Sequence, residues 1–277
     1  MSKNIYAGEI DFILEKNNEY TVEAKKSYDG LIKISPRMKL DRENIPSYFI
    51  IGLGGGYIEG EKYKYNFTLR KGARSVITTQ ASTKVYKCEN NKEIRQETVI
   101  RLDDDSILEY ITDSVILFKN AIYNQCNEIY MSDNATLIYN DGITSGWSAD
   151  GESFTYKSVK MSTKVFMDNK IVMLDNLIIS PQEDDIRGLG YFEGYENFGT
   201  LLVINKNITD DVVEHLRNLL SEIDIPIKFG ISKLEINGFV LRVLGNLTQN
   251  IEKAIVLCRN YIRKEFLNSR ELLIRKY

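Results

Sequence analysis

Oxygen donors, far more than imidazoles or thiolates, are what this 277-residue chain offers a reacting or travelling group. His215 is its only histidine. Cys88, Cys126 and Cys258 are widely spaced with no Cys-x-x-Cys pair, so neither a disulfide framework nor a thiolate zinc site is indicated. The carboxylates placed to do chemistry are Glu59, Glu61, Asp141 and Asp175, each set in apolar or glycine-rich sequence where an unpaired charge is costly. Such oxygens, with water, hold a borderline divalent ion weakly and release it fast, which suits a carrier path better than a storage site. The competing reading of each is a turn cap or a salt-bridged carboxylate. The stretch Thr78-Thr79-Gln80-Ala81-Ser82-Thr83-Lys84-Val85-Tyr86 adds hydroxyls, an amide and an ammonium. Read as one strand, it puts Thr79, Ala81, Thr83 and Val85 on one face. Thr78, Gln80, Ser82, Lys84 and Tyr86 then form a polar row on the other, lining a conduit or a contact surface.

The elements that must position these groups are mostly strands. Tyr63, Tyr65, Phe67 and Leu69 alternate with Lys62, Lys64, Asn66, Thr68 and Arg70, the period of a half-buried strand. Turn residues at Lys71-Gly72, Asp104-Asp105 and Asp133-Asn134 each separate two such runs and recur about every thirty residues, the period of a stacked solenoid; an ordinary sandwich is the alternative. These turns predict hairpins, as do Asp168-Asn169 and the pair Asn237-Gly238. Helix signals come late. Thr209 caps a run with Asp210 and Asp211 in its first turn, halted by Pro226, and a second run starts at Thr248 with Ile251, Ala254, Ile255, Cys258, Ile262 and Phe266 on one stripe. The predicted fold is mainly β: a β-helix or solenoid of stacked antiparallel strands with two α-helices near the C-terminus. Residues 1–277 are expected to form one domain, with a β body over 1–205 and a β-α cap over 206–277.

Two motifs carry a resemblance. The turn Gly55-Gly56-Tyr57-Ile58-Glu59-Gly60-Glu61 followed by the Thr78–Tyr86 stretch resembles the urease accessory protein D family (UreD, also called UreH), with Glu61 where the family usually has aspartate. Asp141-Gly142-Ile143-Thr144-Ser145-Gly146-Trp147-Ser148-Ala149-Asp150-Gly151-Glu152 is similar to a second family segment, with Trp147 where many members have arginine, and Phe239–Gly245 is similar to the family's closing strand. The resemblance implies a β-helix-like body and a non-catalytic role in urease maturation. It also implies docking on the urease apoprotein and on accessory proteins F and G, the latter a GTPase, and help in passing nickel to the active site. It implies no tightly bound cofactor, only transient nickel. Glu61, Asp141 and Asp175 would then line or gate the metal path, and Glu59, Thr79, Gln80, Lys84 and Tyr86 its walls or contact surface.

Charge and composition narrow the classes further. A formal net charge of −3 from 36 basic and 39 acidic residues gives no excess to neutralise phosphates, so nucleic acid is not an expected partner. The glycine cluster lacks a following Gly-Lys-Ser/Thr and a helix, and Glu59 and Glu61 would repel phosphate, which argues against a nucleotide loop. The absence of an apolar leader or a membrane-spanning run, with unpaired cysteines, predicts a cytoplasmic protein and no membrane partner. Two other readings stay open: a β-helical carbohydrate-active enzyme using Asp141 and Glu152 as acid and base, and a bare scaffold without an ion path.

Overall fold

Alternation gives strands one apolar face each, and such faces become buried only by meeting a second sheet. The computed structural model describes residues 5–40 and 43–274. Its first strands are β1 (Gly8–Asn17), β2 (Tyr20–Gly30), β3 (Ile32–Ile34), β4 (Met38–Lys39) and β5 (Pro46–Gly52). The repeating middle holds β6 (Lys62–Leu69), β7 (Arg74–Thr79), β8 (Lys84–Val85), β9 (Ile94–Leu102), β10 (Ile107–Ile111), β11 (Ile116–Leu117), β12 (Ile122–Met131) and β13 (Thr136–Thr144). There follow β14 (Ser158–Met167), β15 (Lys170–Ile179), β16 (Asn197–Ile204), α1 (Asp210–Glu222), β17 (Ile227–Lys233), β18 (Gly238–Gly245) and α2 (Thr248–Phe266). A seven-stranded sheet runs β15-β14-β12-β9-β6-β1-β2. A nine-stranded sheet runs β17-β18-β16-β13-β10-β7-β5-β3, with β4 beside β5, and a short β8-β11 pair forms a third edge.

The fold is mainly β, solenoid-like and completed by two helices, as expected, but the rungs do not stack antiparallel. β6, β9, β12 and β14 pair in parallel in one sheet, and β5, β7, β10 and β13 in parallel in the other. Antiparallel pairs occur only toward the ends, as in β1-β2, β14-β15, β13-β16 and β16-β18. The cause lies in the turns. Lys71-Gly72, Asp104-Asp105 and Asp133-Asn134 make arches in place of hairpins, each carrying the chain from the first sheet across to the second. Hairpin and arch use the same turn residues, Gly72 at φ +67° and Asp105 at φ +55° among them, so alternation alone does not distinguish them. The arches then bond to one another, Gly72 N to Asp104 O at 2.9 Å and Ser132 N to Leu102 O at 3.0 Å.

Asp168-Asn169 does make a hairpin: both residues have positive φ and Met167 pairs with Lys170, the geometry of a two-residue type I′ turn. The predicted hairpin at Asn237-Gly238 also forms, with β17 and β18 antiparallel, but its turn is not the two-residue Asn-Gly one. Leu234 N bonds Gly238 O, which puts the loop over residues 235–237 and Gly238 in the strand. Thr209 caps α1 by accepting from Val212 N, whereas α2 follows Leu247 with no side-chain cap.

Between the sheets the interior is divided by depth. Near the arches the inward row is Phe67, Ile100, Ile129 and Val165, all buried and apolar. One inward position further from the arches the row becomes Tyr65, Thr98, Asn127 and Thr163, and the next is Tyr63, Gln96 and Gln125. Outside the nine-stranded sheet, Leu201, Val203, Leu241 and Val243 pack under Leu216, Leu220, Ile251 and Ile255 of the helices. Arg263 of α2 is wholly buried. It donates to Glu109 of β10 and, through Nε, to Arg270 O at 2.8 Å, while Arg259 donates to Leu272 O at 2.7 Å. These bonds strap the 267–274 segment down, because a guanidinium without such partners could not be buried. Ile129→Ala, at the apolar depth, should cost about 2–5 kcal/mol in urea unfolding, while Ile171→Ala on an exposed site should stay within about 0.5.

Candidate functional site

The two motifs singled out by sequence meet in space. Tyr57 N donates to Lys84 O at 2.8 Å and Tyr86 N to Tyr57 O at 2.9 Å, so the glycine turn runs along β8 as an extra rung. Glycine is required there: a Cβ on Gly56 would lie 2.7 Å from both Lys84 O and the Tyr86 ring. The Thr78–Tyr86 stretch is not one strand. β7 ends at Thr79, the chain bends at Gln80-Ala81, and β8 starts at Lys84, because here it leaves the nine-stranded sheet for the third edge. The predicted faces therefore do not hold. Thr78 is buried with its hydroxyl on Ile111 O at 2.5 Å, whereas Thr79 turns to Asp113, donating to its carboxylate at 3.0 Å and accepting from its amide at 2.9 Å.

Behind this bend lies a hollow of about 270 Å³ whose lining includes Thr79, Gln80, Ser82, Lys84, Asp113 and Asp141. Its inner wall is the polar depth of the solenoid. Tyr57 and Tyr65 share a hydroxyl hydrogen bond at 2.5 Å, Tyr57 reaches Gln96 Oε1 at 3.1 Å, and Tyr123 reaches Gln125 Oε1 at 3.1 Å. Asn127 Nδ2 donates to Tyr139 at 2.9 Å and to Thr163 at 3.1 Å, and Tyr139 donates to Asp141 Oδ2 at 2.7 Å. Burial raises the phenols of Tyr65, Tyr123 and Tyr139 well above their ordinary range, so they stay neutral hydrogen-bonding groups. The space is polar and large enough for several waters.

Asp141 stands at a junction. It lines this hollow and a second one of about 270 Å³ beside the start of α2, which also shares Ser82, Thr112 and Asp113. It also feels the charges of Asp175 and Arg242, which line a third hollow of about 480 Å³ at the far end and pair with each other at 2.5 Å. The remaining predicted residues lie outside the walls. Glu61 accepts from Ile58 N at 2.9 Å and from Tyr63 at 2.7 Å, so it touches the lining only through that phenol. Glu59 caps the 89–92 loop, and the Lys92 amide, with those of Asn90, holds its carboxyl below the usual range. Tyr86 leans on Phe118 and donates to Gly55 O at 3.3 Å. Glu152 is exposed and lines neither hollow that contains Asp141, so the acid–base pair of the enzyme reading is not assembled.

Asp113, Gln96, Gln125, Asn127 and Tyr139 were not singled out by sequence. For the three amides the signal is faint but real: aligning Tyr63–Leu69, Ile94–Leu102 and Tyr123–Met131 by their apolar ends puts the polar residues at equal depth. Among the described residues no three His, Cys, Asp or Glu side chains gather into a metal-holding group, and no helix is long and apolar enough to cross a membrane.

Residues 6–276 match the family model of the UreD urease accessory protein. The chain belongs to that family. This UreD-family chain is 36% identical over 272 residues to the urease accessory protein UreD of Streptococcus thermophilus strain CNRZ 1066, covering 98% of this chain and 97% of that protein. It is 37% identical over 253 residues to the UreD of Ureaplasma urealyticum serovar 10, covering 90% and 88%, and 34% identical over 265 residues to that of Bacillus cereus, covering 96% of each.

The same geometry sets the ionisation of Asp141. Burial pushes its carboxyl from the ordinary 3.8 up to about 6, opposed by the Tyr139 hydrogen bond, with Asp175 raising it further and Arg242 lowering it. An acid with a raised folded pKa makes stability fall as pH climbs between about 4 and 6, and the penalty is complete above 6. Thermal melts of Asp141→Asn should therefore gain on the parent chain across that window and hold a constant lead above it; a lead independent of pH would contradict the buried placement.

Proposed function

We propose that this UreD-family chain is a cytoplasmic, non-catalytic scaffold of urease maturation that passes nickel through the oxygen-lined interior of its solenoid. It docks on the urease apoprotein and on accessory proteins F and G, the latter a GTPase. The observation that carries the reading is Asp141, a carboxylate of raised pKa between two hollows, with Asp175 lining the third. Neutral amide and phenol oxygens around it suit a hydrated borderline ion that must enter and leave, whereas a clustered His or thiolate site would retain it. Thr79, Gln80 and Lys84 form the near mouth in this reading. Glu61 supports it through Tyr63, and Glu59 and Tyr86 hold the surrounding loops. The β body over 1–205 and the segment over 206–277 act as one unit, because β16 and β18 extend the nine-stranded sheet.

The test is urease activation in cells supplying the urease subunits and the other accessory proteins. Asp141→Ala should slow activation by about tenfold or more, as loss of a group next to a metal commonly does, while the variant still copurifies with its partners. Glu152→Ala should activate normally. Full nickel content of urease matured with the Asp141 variant would remove the ion path and leave a docking scaffold.

A further inference from the structure

The two sheets are unequal, and the shorter one stops at an unprotected edge. β15 faces β18 through the Asp175–Arg242 pair, and beyond it β17 continues with no strand opposite among the described residues; the gap is a hollow of about 480 Å³ lined by Asp175, Leu177, Lys228, Gly230 and Arg242, with the 190–193 turn on one side, where Glu193 pairs with Lys228. A Cβ built on Gly230 meets nothing within 4 Å. Among the described residues, the backbone of Lys170–Ile179 bonds only to β14, so one side of a ten-residue strand keeps its amides and carbonyls unpaired by protein. The opposite edge, β2, carries Glu23, Lys25, Lys26 and Asp29, the charges that commonly discourage pairing. β15 instead exposes Ile171, Leu174 and Ile178 at 56%, 60% and 51%.

The flank of this edge is basic. Lys160 and Lys164 are the cross-strand partners of Ile178 and Leu174, and among the described residues neither is in an ion pair. Glu128, across from Lys164 on the other side, is turned to the Tyr130 hydroxyl at 2.9 Å. A second copy pairing through its own β15 would present Leu174, Asn176 and Ile178 to this face and no carboxylate for the lysines, so charge favours a different partner.

We infer that β15 receives an extended segment of a partner protein as an added strand. Its outward side chains are aliphatic or acidic, to match Leu174, Ile178, Lys160 and Lys164. Its inward ones are small, to fit over Gly230. Strand addition supplies backbone hydrogen bonds along the edge, and alternate side chains supply the choice of partner. It would complete the sandwich and roof the hollow at Asp175 and Arg242, so that the interior continues into the partner. The inference rests on the maturation reading for the partner, a member of the urease-maturation complex.

The experiment is hydrogen exchange of the full chain, alone and in the complex copurified with apo-urease and the other accessory proteins, alongside Leu174→Glu/Ile178→Glu. Amides in 170–179 should slow about tenfold or more on assembly. The double variant should bind about tenfold more weakly with its melting point unchanged, because both sites are exposed; Tyr20→Glu on the opposite edge should bind as the parent does. A complex of parental strength with the β15 amides exchanging as in the free chain overturns the inference. So does weakened binding of the variant without amide protection in the parent, which would mean side-chain docking and no added strand. Failure of the parent chain to join any such complex overturns the maturation reading and this inference with it.

Discussion

A polar side chain sealed between two sheets has no bulk water to bond, so a partner on a neighbouring rung or in its own strand is worth most to it. That constraint organises this protein. Tyr57, Tyr65 and Gln96 satisfy one another, as do Asn127, Tyr139, Thr163 and Asp141, and every one of these bonds except Tyr139–Asp141, which lies within β13, joins different rungs or facing sheets. The apolar row Phe67, Ile100, Ile129 and Val165 holds the sheets together on the arch side, which leaves the other side free to be wet. Parallel stacking is what makes the division continuous, since it keeps equivalent positions in line from strand to strand.

The third edge follows from the same stacking. The chain must leave the second sheet after Thr79 and rejoin the first at Ile94, and the short pair β8-β11 bridges part of that distance. The glycine turn fits against β8 only because Gly56 has no side chain, and this close approach puts the turn and the hydroxyl-rich stretch at one mouth. The spacing of the two motifs in the sequence is thus the length of one circuit of the solenoid.

The buried pair Arg263 and Glu109 plays the corresponding part outside the sheets. Desolvating both groups is offset by their contact, by the carbonyl of Arg270, and by Glu43 on Arg263 and Arg74 on Glu109, so α2 and the chain after it are fixed in one position. The helix shields strands that are buried on both faces, which explains the nearly unbroken burial of β13 and β16.

Local chemistry in the sequence determined the strands, the Thr209 cap, the Asp168-Asn169 hairpin, the recurrence of about thirty residues and the shortage of soft metal ligands. Each depends on residues within a few positions of one another. Tertiary structure decided that Lys71-Gly72 and its equivalents are arches, that the strand breaks at Gln80, that Glu59 turns to a loop while Asp113 and Asp141 face a hollow, and that Gln96, Gln125 and Asn127 stand at the polar depth. Those outcomes depend on register between rungs, Thr98 beside Asn127 and Ile77 beside Tyr110. Register is set by the packing of whole sheets, and no local window of sequence contains both partners.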